Sequence, residues 1–336
     1  MNELPRIWIT WENQRRSIEL SRYLNCEFYL FKYSGALRYI KCIVNTINVL
    51  LKNRNSVIFV QNPSMVLATI ACIYKLISNS IIIVDRHTTF VMDNLKKNRF
   101  KYILFTVMHA FTIRYADITI VTNKYLAEIV RSMNGNAFVL PDKLPDMAYT
   151  EYYKVEGKYN ILLISSFGDD EPICEVLKAM EMISDTDTVL YISGNINKLP
   201  KETINSAPSN VIFTGFLAET EFNNLLHSVD AVMVLTTADN CMMCGCYEAV
   251  AACKPIITSN KVVLREYFKG SIFVDNTGED IKKGIQDLRS NHVNYRNNVI
   301  ELKQSLVKSW KEQIDILENS ITKHNNINLV KSKFNS

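Results

Sequence analysis

The chain has 336 residues, 48% of them hydrophobic and 21% charged, a length that suggests two domains and a composition that excludes disorder as the main state. The formal charge of +4 divides unevenly, with +9 on residues 1–150 and −5 on residues 151–336. The first half is therefore expected either to meet an anionic partner, such as a phosphate-bearing lipid or a membrane surface, or to carry a solvated basic face.

In chain order, Met1 to Arg6 leads straight into the apolar run Ile7–Thr10 without the pattern of a secretory leader. Short runs rich in Ile and Val then alternate with longer segments of helical period. Strands are predicted at Ile7–Thr10, Glu27–Phe31, Ser56–Val60, Ser80–Val84, Ile118–Val121 and Ala137–Leu140, and helices at 14–24, 36–52, 63–77, 97–115 and 123–133. The apolar stretches near 36–51 and 66–84 are broken by Arg38, Lys41 and Lys75, short of the roughly 20 clean apolar residues of a membrane span. The first of them reads either as a buried core helix, the more frequent case, or as an amphipathic helix on a membrane surface. The segment Pro141-Asp142-Lys143-Leu144-Pro145 breaks the rhythm and starts the best linker candidate, placing a domain boundary near 150/151.

The rhythm restarts with strands predicted at Tyr159–Ser165, Thr188–Ser193, Asn210–Thr214, Ala231–Leu235, Pro255–Thr258 and Ser271–Val274. Helices are predicted at 171–183, 219–227, 244–253, 279–289 and 294–318. The last is expected to pack back on the first domain, and the Asn- and Lys-rich tail 323–336 to fray. The fold class is thus α/β: two doubly wound, Rossmann-like domains facing a central cleft. Ligands of such sheets sit beyond the carboxyl ends of the strands, which singles out Trp11-Glu12, Asn62-Pro63, Asp85-Arg86-His87, Thr122-Asn123, Ser165-Ser166-Phe167, Gly194-Asn195, Gly215 and Thr236-Thr237.

Eight cysteines without a secretory leader suit a reducing cytoplasm rather than a disulfide framework. Cys241, Cys244, Cys246 and Cys253 include a CxxC, yet no second ligand pair with zinc-site spacing occurs elsewhere, so no metal is expected. None of the ten glycines pairs as GxG, which removes the support for a hydride-transfer Rossmann enzyme, and the absence of GxxxxGK[ST] argues against a P-loop enzyme.

The most informative segment runs from Thr236 to Ile257. A strand ends, a polar loop follows, Gly245 opens a helix, and Lys254-Pro255 begins another strand. Backbone N–H groups and the positive helix end at Met243–Cys246 suit a diphosphate. Glu248, one turn in, is placed to accept from both hydroxyls of a ribose, although a first-turn carboxylate is also favoured by the helix dipole alone. Asp85-Arg86-His87 follows the apolar run Ile81–Val84. An Asp or His there serves as general base toward an acceptor hydroxyl, or His87 hydrogen-bonds a sugar, or the group simply caps a loop.

The order of strand, polar loop and small-residue helix carrying "YEAVAACKPII" resembles the donor-site region of GT-B glycosyltransferases of the retaining, group 1 (family-4) type. "NVIFTGFL" at 210–217, "VDAVMVLTTADN" at 229–240 and "LREYFKGSIFV" at 264–274 resemble its surroundings. In the first half "ADITIVTNKYLAEIV" at 116–130 and "WENQRRSIEL" at 11–20 are similar to small polysaccharide-assembly transferases. The resemblance implies that Glu248 grips the nucleotide ribose. It puts Asn240, eight residues earlier, where the family has a glutamate against the donor sugar. The donor site is then expected to comprise Glu248, Asn240, Ser166, Gly245, Cys246, Thr237 and Asp239. The loop 165–172 is acidic where the family places a basic pair for the diphosphate. The phosphates are therefore expected to be met by helix N–H groups or by Arg15 and Arg16 reaching across the cleft, with Glu12, Arg15 and Arg16 as the acceptor- or phosphate-binding group.

The function implied is transfer of a sugar from a UDP- or GDP-linked donor to a glycan or polyprenyl-diphosphate-linked acceptor, as in capsule, exopolysaccharide or O-antigen assembly. No cofactor, metal or nucleic acid is expected. The chain is expected in the cytoplasm, with peripheral contact at the inner membrane face through the basic first half. Two alternatives stay open: a nucleotide-sugar 2-epimerase of the same fold, and a non-catalytic subunit that binds a glycan or lipid carrier.

Overall fold

The computed structural model describes residues 4–62, 64–87, 99–183 and 187–334. Pro63 and the first two residues of the helix predicted at 97–115 lie outside them. The chain forms two compact units, one of residues 1–143 and 310–336 and the other of residues 144–309.

Unit 1 is built on a six-stranded, wholly parallel sheet in the order β2-β1-β3-β4-β5-β6. Its strands are β1 (Arg6–Thr10), β2 (Glu27–Leu30), β3 (Val57–Asn62), β4 (Ile81–Arg86), β5 (Ile118–Val121) and β6 (Ala137–Val139). The helices are α1 (Arg15–Tyr23), α2 (Arg38–Lys52), α3 (Met65–Lys75), α4 (Arg99–Tyr115) and α5 (Lys124–Ser132). Strands β3, β4 and β5 are buried along their whole length, which is why they read as unbroken Val/Ile runs rather than as an alternating pattern. One face packs Ile58, Val60, Ile82 and Val84 against α2 and α3. The other packs Trp8, Phe59, Ile83 and Ile120 against Leu20 of α1 and against Trp310, Ile314, Leu317 and Ile321.

Those last four residues belong to α12 (His292–Phe334), the final helix of the chain. The predicted return of this helix to the first domain is thus present from Trp310 onward. Trp310 Nε1 donates to Pro141 O at 3.1 Å, and Arg6 binds the Glu318 carboxylate through two hydrogen bonds of 2.6 and 2.8 Å. The helix runs beyond the predicted end at 318 and through most of the tail expected to fray. No Pro or Gly interrupts residues 292–334, and Ile321 is buried against the sheet, so nothing in the backbone chemistry ends the helix earlier.

Unit 2 carries a second parallel sheet in the order β12-β11-β10-β7-β8-β9. Its strands are β7 (Tyr159–Ile164), β8 (Thr188–Ser193), β9 (Val211–Gly215), β10 (Ala231–Val234), β11 (Ile256–Ser259) and β12 (Ile272–Val274). The crossovers are α6 (Ile173–Glu181), α7 (Lys201–Asn205), α8 (Glu219–Ser228), α9 (Cys244–Ala251), α10 (Val262–Tyr267) and α11 (Gly278–Ser290), with a single 3-10 turn at Ile196–Lys198. That turn, α7 and α10 have three to six residues each, too short to show a helical period in sequence.

Unit 2 begins at Leu144, earlier than the boundary expected near 150, because residues 144–155 dock on this unit. Leu144, Met147 and Val155 pack on its core. Asn223 donates to Ala148 O at 2.9 Å, and the Asn224 side chain accepts from Thr150 N at 3.0 Å. The ring of His227 contacts Met147 O at 2.7 Å and stacks on Tyr149. A segment that reads as linker by composition is held by side-chain amides that only the folded unit supplies.

Candidate functional site

In unit 2 the strand order reverses between β7 and β10, the position at which open α/β sheets bind ligands. Beyond these strand ends lie the loops 165–171 and 236–243, followed by α9. Of the predicted donor residues, the structure brings Ser166, Thr237, Asp239, Asn240, Gly245 and Glu248 to this one edge.

The acidic loop after β7 is satisfied from within. The Glu171 carboxylate accepts from Ser166 N at 3.0 Å, Phe167 N at 2.8 Å and Ser166 Oγ at 2.9 Å, and also from Ser165 Oγ. Two consecutive backbone N–H groups thus converge on one carboxylate, the arrangement of an anion nest. Phe167 holds a left-handed backbone (φ 53°) to make it. Gly194 at the end of β8 must be glycine: its φ is 141°, and a Cβ would meet Ser165 O at 2.4 Å and the Phe167 ring at 2.9 Å. The neighbouring Asp170 ties this loop to β10, its backbone oxygen accepting from Thr237 N at 2.6 Å and Thr237 Oγ1 at 3.0 Å, and its side chain from Thr236 Oγ1. Thr237 is exposed at the edge, but its backbone and hydroxyl donors are taken by this clamp.

Helix α9 starts at Cys244, and its N-cap, Met243, provides no side-chain cap. Gly245 lies where the helix crosses the sheet: a Cβ would come within 2.9 Å of Val234 and 3.2 Å of Ile164, so glycine here permits close helix–sheet packing. Cys246 corrects the expectation of donor contact. It is wholly buried in the core, its N–H bonds Met243 O at 3.1 Å, and burial drives its thiol up to about 12. Glu248 is half-buried in the following turn. Asn240 is left-handed (φ 59°), a conformation that asparagine tolerates better than glutamate does, so backbone geometry supplies a reason for an amide at this position. The eight cysteines are all free, and among the described residues no group of three or more His, Cys, Asp or Glu is placed to hold a metal ion.

Two cations that the sequence did not reveal flank the switch point. Lys198, in the 3-10 turn after β8, donates to Ser166 O at 2.7 Å. Lys261, at the start of α10 after β11, donates to Thr237 O at 2.8 Å and pairs with exposed Asp239 at 2.7 Å. Two basic side chains thus reach the loops after β7 and β10 from the segments that follow the flanking strands β8 and β11. Strand adjacency, which the sequence does not display, is the signal that finds them.

In unit 1 the predicted phosphate role of Arg16 is corrected. Its side chain is buried, with Nε and Nη2 donating to Asp85 at 2.8 to 3.0 Å, Nη1 to Asp142 at 2.6 Å and Nη2 to Leu140 O at 2.9 Å. Burial works against its charge, but Asp85 and Asp142 outweigh that and raise its pKa. Asp85 is corrected with it. Burial would raise its pKa, but Arg16 and then His87 hold it at about 2, too low for a general base near neutral pH. His87 is partly exposed, its Nδ1 3.6 Å from Asp85 Oδ2, an ion-pair distance longer than a hydrogen bond. Glu12, after β1, lies 3.6 Å from Arg38, and exposed Arg15 lies 3.9 Å from Glu19. Neither contact involves Arg16.

Residues 151–305 match the family model described as glycosyl transferases group 1. No curated protein matches the sequence. Among solved structures, the chain is similar to Anabaena HepE in complex with UDP and glucose, with a TM-score of 0.68 at 12% identity over 93% of this chain and 91% of that one. It is similar to sucrose-phosphate synthase from Thermosynechococcus elongatus, with a TM-score of 0.71 at 13% identity over 96% and 100%. It is also similar to a putative UDP-N-acetylglucosamine 2-epimerase from Listeria monocytogenes, with a TM-score of 0.59 at 13% identity over 88% and 91%. The two parallel sheets share the GT-B fold of these proteins, and residues 151–305 carry a domain of the glycosyl transferases group 1 type.

Proposed function

We propose that unit 2 holds a nucleoside-diphosphate sugar, UDP- or GDP-linked, and that the chain transfers its hexosyl group to a glycan or polyprenyl-diphosphate-linked acceptor in polysaccharide assembly. The observation that supports this reading is that the start of α9, which Glu248 follows by one turn, and the amines of Lys198 and Lys261 all lie at the loops beyond β7 and β10, where the strand order reverses. Helix N-termini and ammonium groups neutralise a leaving diphosphate without a metal, and a carboxylate one turn in suits a ribose. HepE was solved with UDP-glucose, which favours the uridine nucleotide among the candidates. Ser166 and Asn240 are placed toward the sugar end of this donor. In unit 1, His87, partly exposed at the end of β4, takes the role of proton acceptor or sugar contact.

A screen of UDP, GDP, CMP and their sugars by thermal unfolding tests the donor. One base should raise the midpoint selectively by mass action, and Lys261→Met should weaken that ligand about tenfold through a lost charge-assisted contact. If no nucleotide shifts the midpoint, the non-catalytic reading replaces this one. Nucleoside diphosphate released only when a glycan acceptor is added separates transfer from 2-epimerisation.

Unit 1 is the surface proposed to meet the membrane. Among the described residues no helix is long and apolar enough to cross one. Helix α2 buries Cys42, Thr46, Val49 and Leu50 and leaves Leu37, Tyr39, Ile40, Val44 and Leu51 exposed, with Arg38, Lys41 and Lys52 on the same helix. An apolar groove of about 300 Å³ between α2 and α3, lined by Ile47, Leu50, Ile70 and Ile77, continues that face. An exposed apolar face with basic residues suits the interface of an anionic bilayer. The chain should co-sediment with vesicles containing phosphatidylglycerol and much less with neutral ones. Ile40→Glu together with Val44→Glu should abolish the binding, and equal binding by the double variant would rule this face out.

A further inference from the structure

Unit 1 contains a second polar cluster, on the other face of β4 from Asp85 and Arg16. Adjacent residues of a strand point to opposite faces, so Arg86 in β4 emerges on the face opposite Asp85 and Arg16. There it is in register with Asn62 of β3, about 5 Å away across the parallel pair. The two are 3% and 2% exposed. Arg86 Nη1 lies 2.7 Å from His109 Nδ1, and Nη2 donates to Thr112 Oγ1 at 2.9 Å, both on α4. Burial and the guanidinium together lower the His109 pKa to about 4, so the ring is neutral and accepts at Nδ1. Burial brings Arg86 down to about 10, which leaves it charged at neutral pH.

Among the described residues every partner of this buried cation is therefore uncharged. Its Nε and the Asn62 Nδ2 have no hydrogen-bond partner among the described residues, and no carboxylate among them raises the Arg86 pKa. Helix α3 begins at Met65, three residues after Asn62, and its N-cap Ser64 gives no side-chain cap. A guanidinium, an amide donor and a helix N-terminus thus present positive potential at one strand end with nothing negative among them. Burying a charge is costly unless it is paired, and an arriving oxyanion removes that cost while filling two empty donors.

We propose that Asn62, Arg86 and the start of α3 form an oxyanion subsite that takes a phosphoryl group of the acceptor. The identity of the ligand as acceptor rests on the function proposed above; the anion site itself does not. Two sources share this chemistry, a soluble sugar phosphate and a lipid-linked phosphate.

All three tryptophans (Trp8, Trp11 and Trp310) lie in unit 1, so tryptophan fluorescence follows the unfolding of that unit. The full chain is titrated with inorganic phosphate, with glucose 6-phosphate, and with a short-chain prenyl diphosphate in detergent micelles. Inorganic phosphate should raise the midpoint, and one of the organic phosphates should do so at lower concentration, which names the source. The response should persist in Lys261→Met, a change in the other unit. Arg86→Gln should weaken it about tenfold or more, as loss of a charge-assisted contact implies. Asn62→Ala, which keeps the charge and tests the site should Arg86→Gln fail to fold, should weaken it several-fold. No shift of the wild-type protein by any of the three ligands, or a wild-type response in Asn62→Ala, overturns the proposal. The nucleotide response of unit 2, measured on the same variants, stays intact in either case if the donor reading holds, so the two readings fail separately.

Discussion

Replacing Arg16 with Met should lower the stability of unit 1 by about 3–5 kcal/mol at pH 7, the usual cost of stranding one member of a buried ion pair, and leave nucleotide affinity unchanged. The Asp85 carboxylate is fully buried and takes three of its hydrogen bonds from this guanidinium, while Asp142 and Leu140 O lose a donor as well. Methionine fills much of the space of the arginine stem, so the loss reports the charge and not a cavity. The signal is the tryptophan-detected urea transition, which belongs to unit 1 alone.

The pH dependence has a definite sign. Asp85 is held at about 2 against an ordinary 3.8, so the stability it contributes in the wild-type protein is complete above about pH 4 and is lost as the pH falls through 2. The gap between Arg16→Met and wild type should therefore be widest near neutrality and shrink between about pH 4 and 2. A constant gap over that range would show that packing, and not the ion pair, is what Arg16 supplies. A tenfold loss of nucleotide affinity in a folded Arg16→Met protein would restore the phosphate role that the geometry takes away from it.

The rhythm of the fold was legible because both sheets are parallel and covered. Runs such as Ile81–Val84 need no alternation when both faces are buried, and each is followed by a segment of helical period. Strand β4 shows where that reading stopped short. It continues two residues past the predicted Val84, in register with β5 as far as Arg86 and Val121. Asp85, Arg86 and His87, which read as one group at a strand end, are therefore divided between two faces of the sheet.

The loop and helix after β10 were legible through Gly245, where a Cβ would come within 2.9 Å of Val234. Three features of the two units depend on partners distant in sequence. Arg16 meets Asp85 sixty-nine residues away, Lys261 reaches back to the loop after β10, and Lys198 reaches the loop after β7. The acidity of the loop 165–172 is local in sequence but carries less charge to a ligand than composition implies, because the Glu171 carboxylate accepts from the loop's own N–H groups. Composition registers a charge, and only the fold shows whether it is already spent.

Glu248→Ala should abolish the nucleotide-induced rise in midpoint and lower kcat/KM by about a hundredfold or more, the expected sum of two hydrogen bonds to a charged acceptor. The residue is half-buried in the second turn of α9, whose sequence neighbours Tyr247 and Ala249 are fully buried in the unit 2 core, so truncation at this partly open position should leave the fold intact. A helix-dipole role and a ribose contact make different predictions. If Glu248 serves only the helix start, alanine costs a few tenths to 1 kcal/mol of stability and the nucleotide response survives. If it accepts from the ribose, most of the loss is in ligand affinity. A 2′-deoxy nucleotide then decides the matter: it should bind the wild-type chain more weakly, and the substitution and the missing hydroxyl should be strongly non-additive, because each removes the same contact. Additive losses would place Glu248 away from the ribose and transfer the donor assignment to the loop at Thr237–Asn240. Glu248→Gln, which keeps the shape and removes the charge, should fall between the two and recover part of the response.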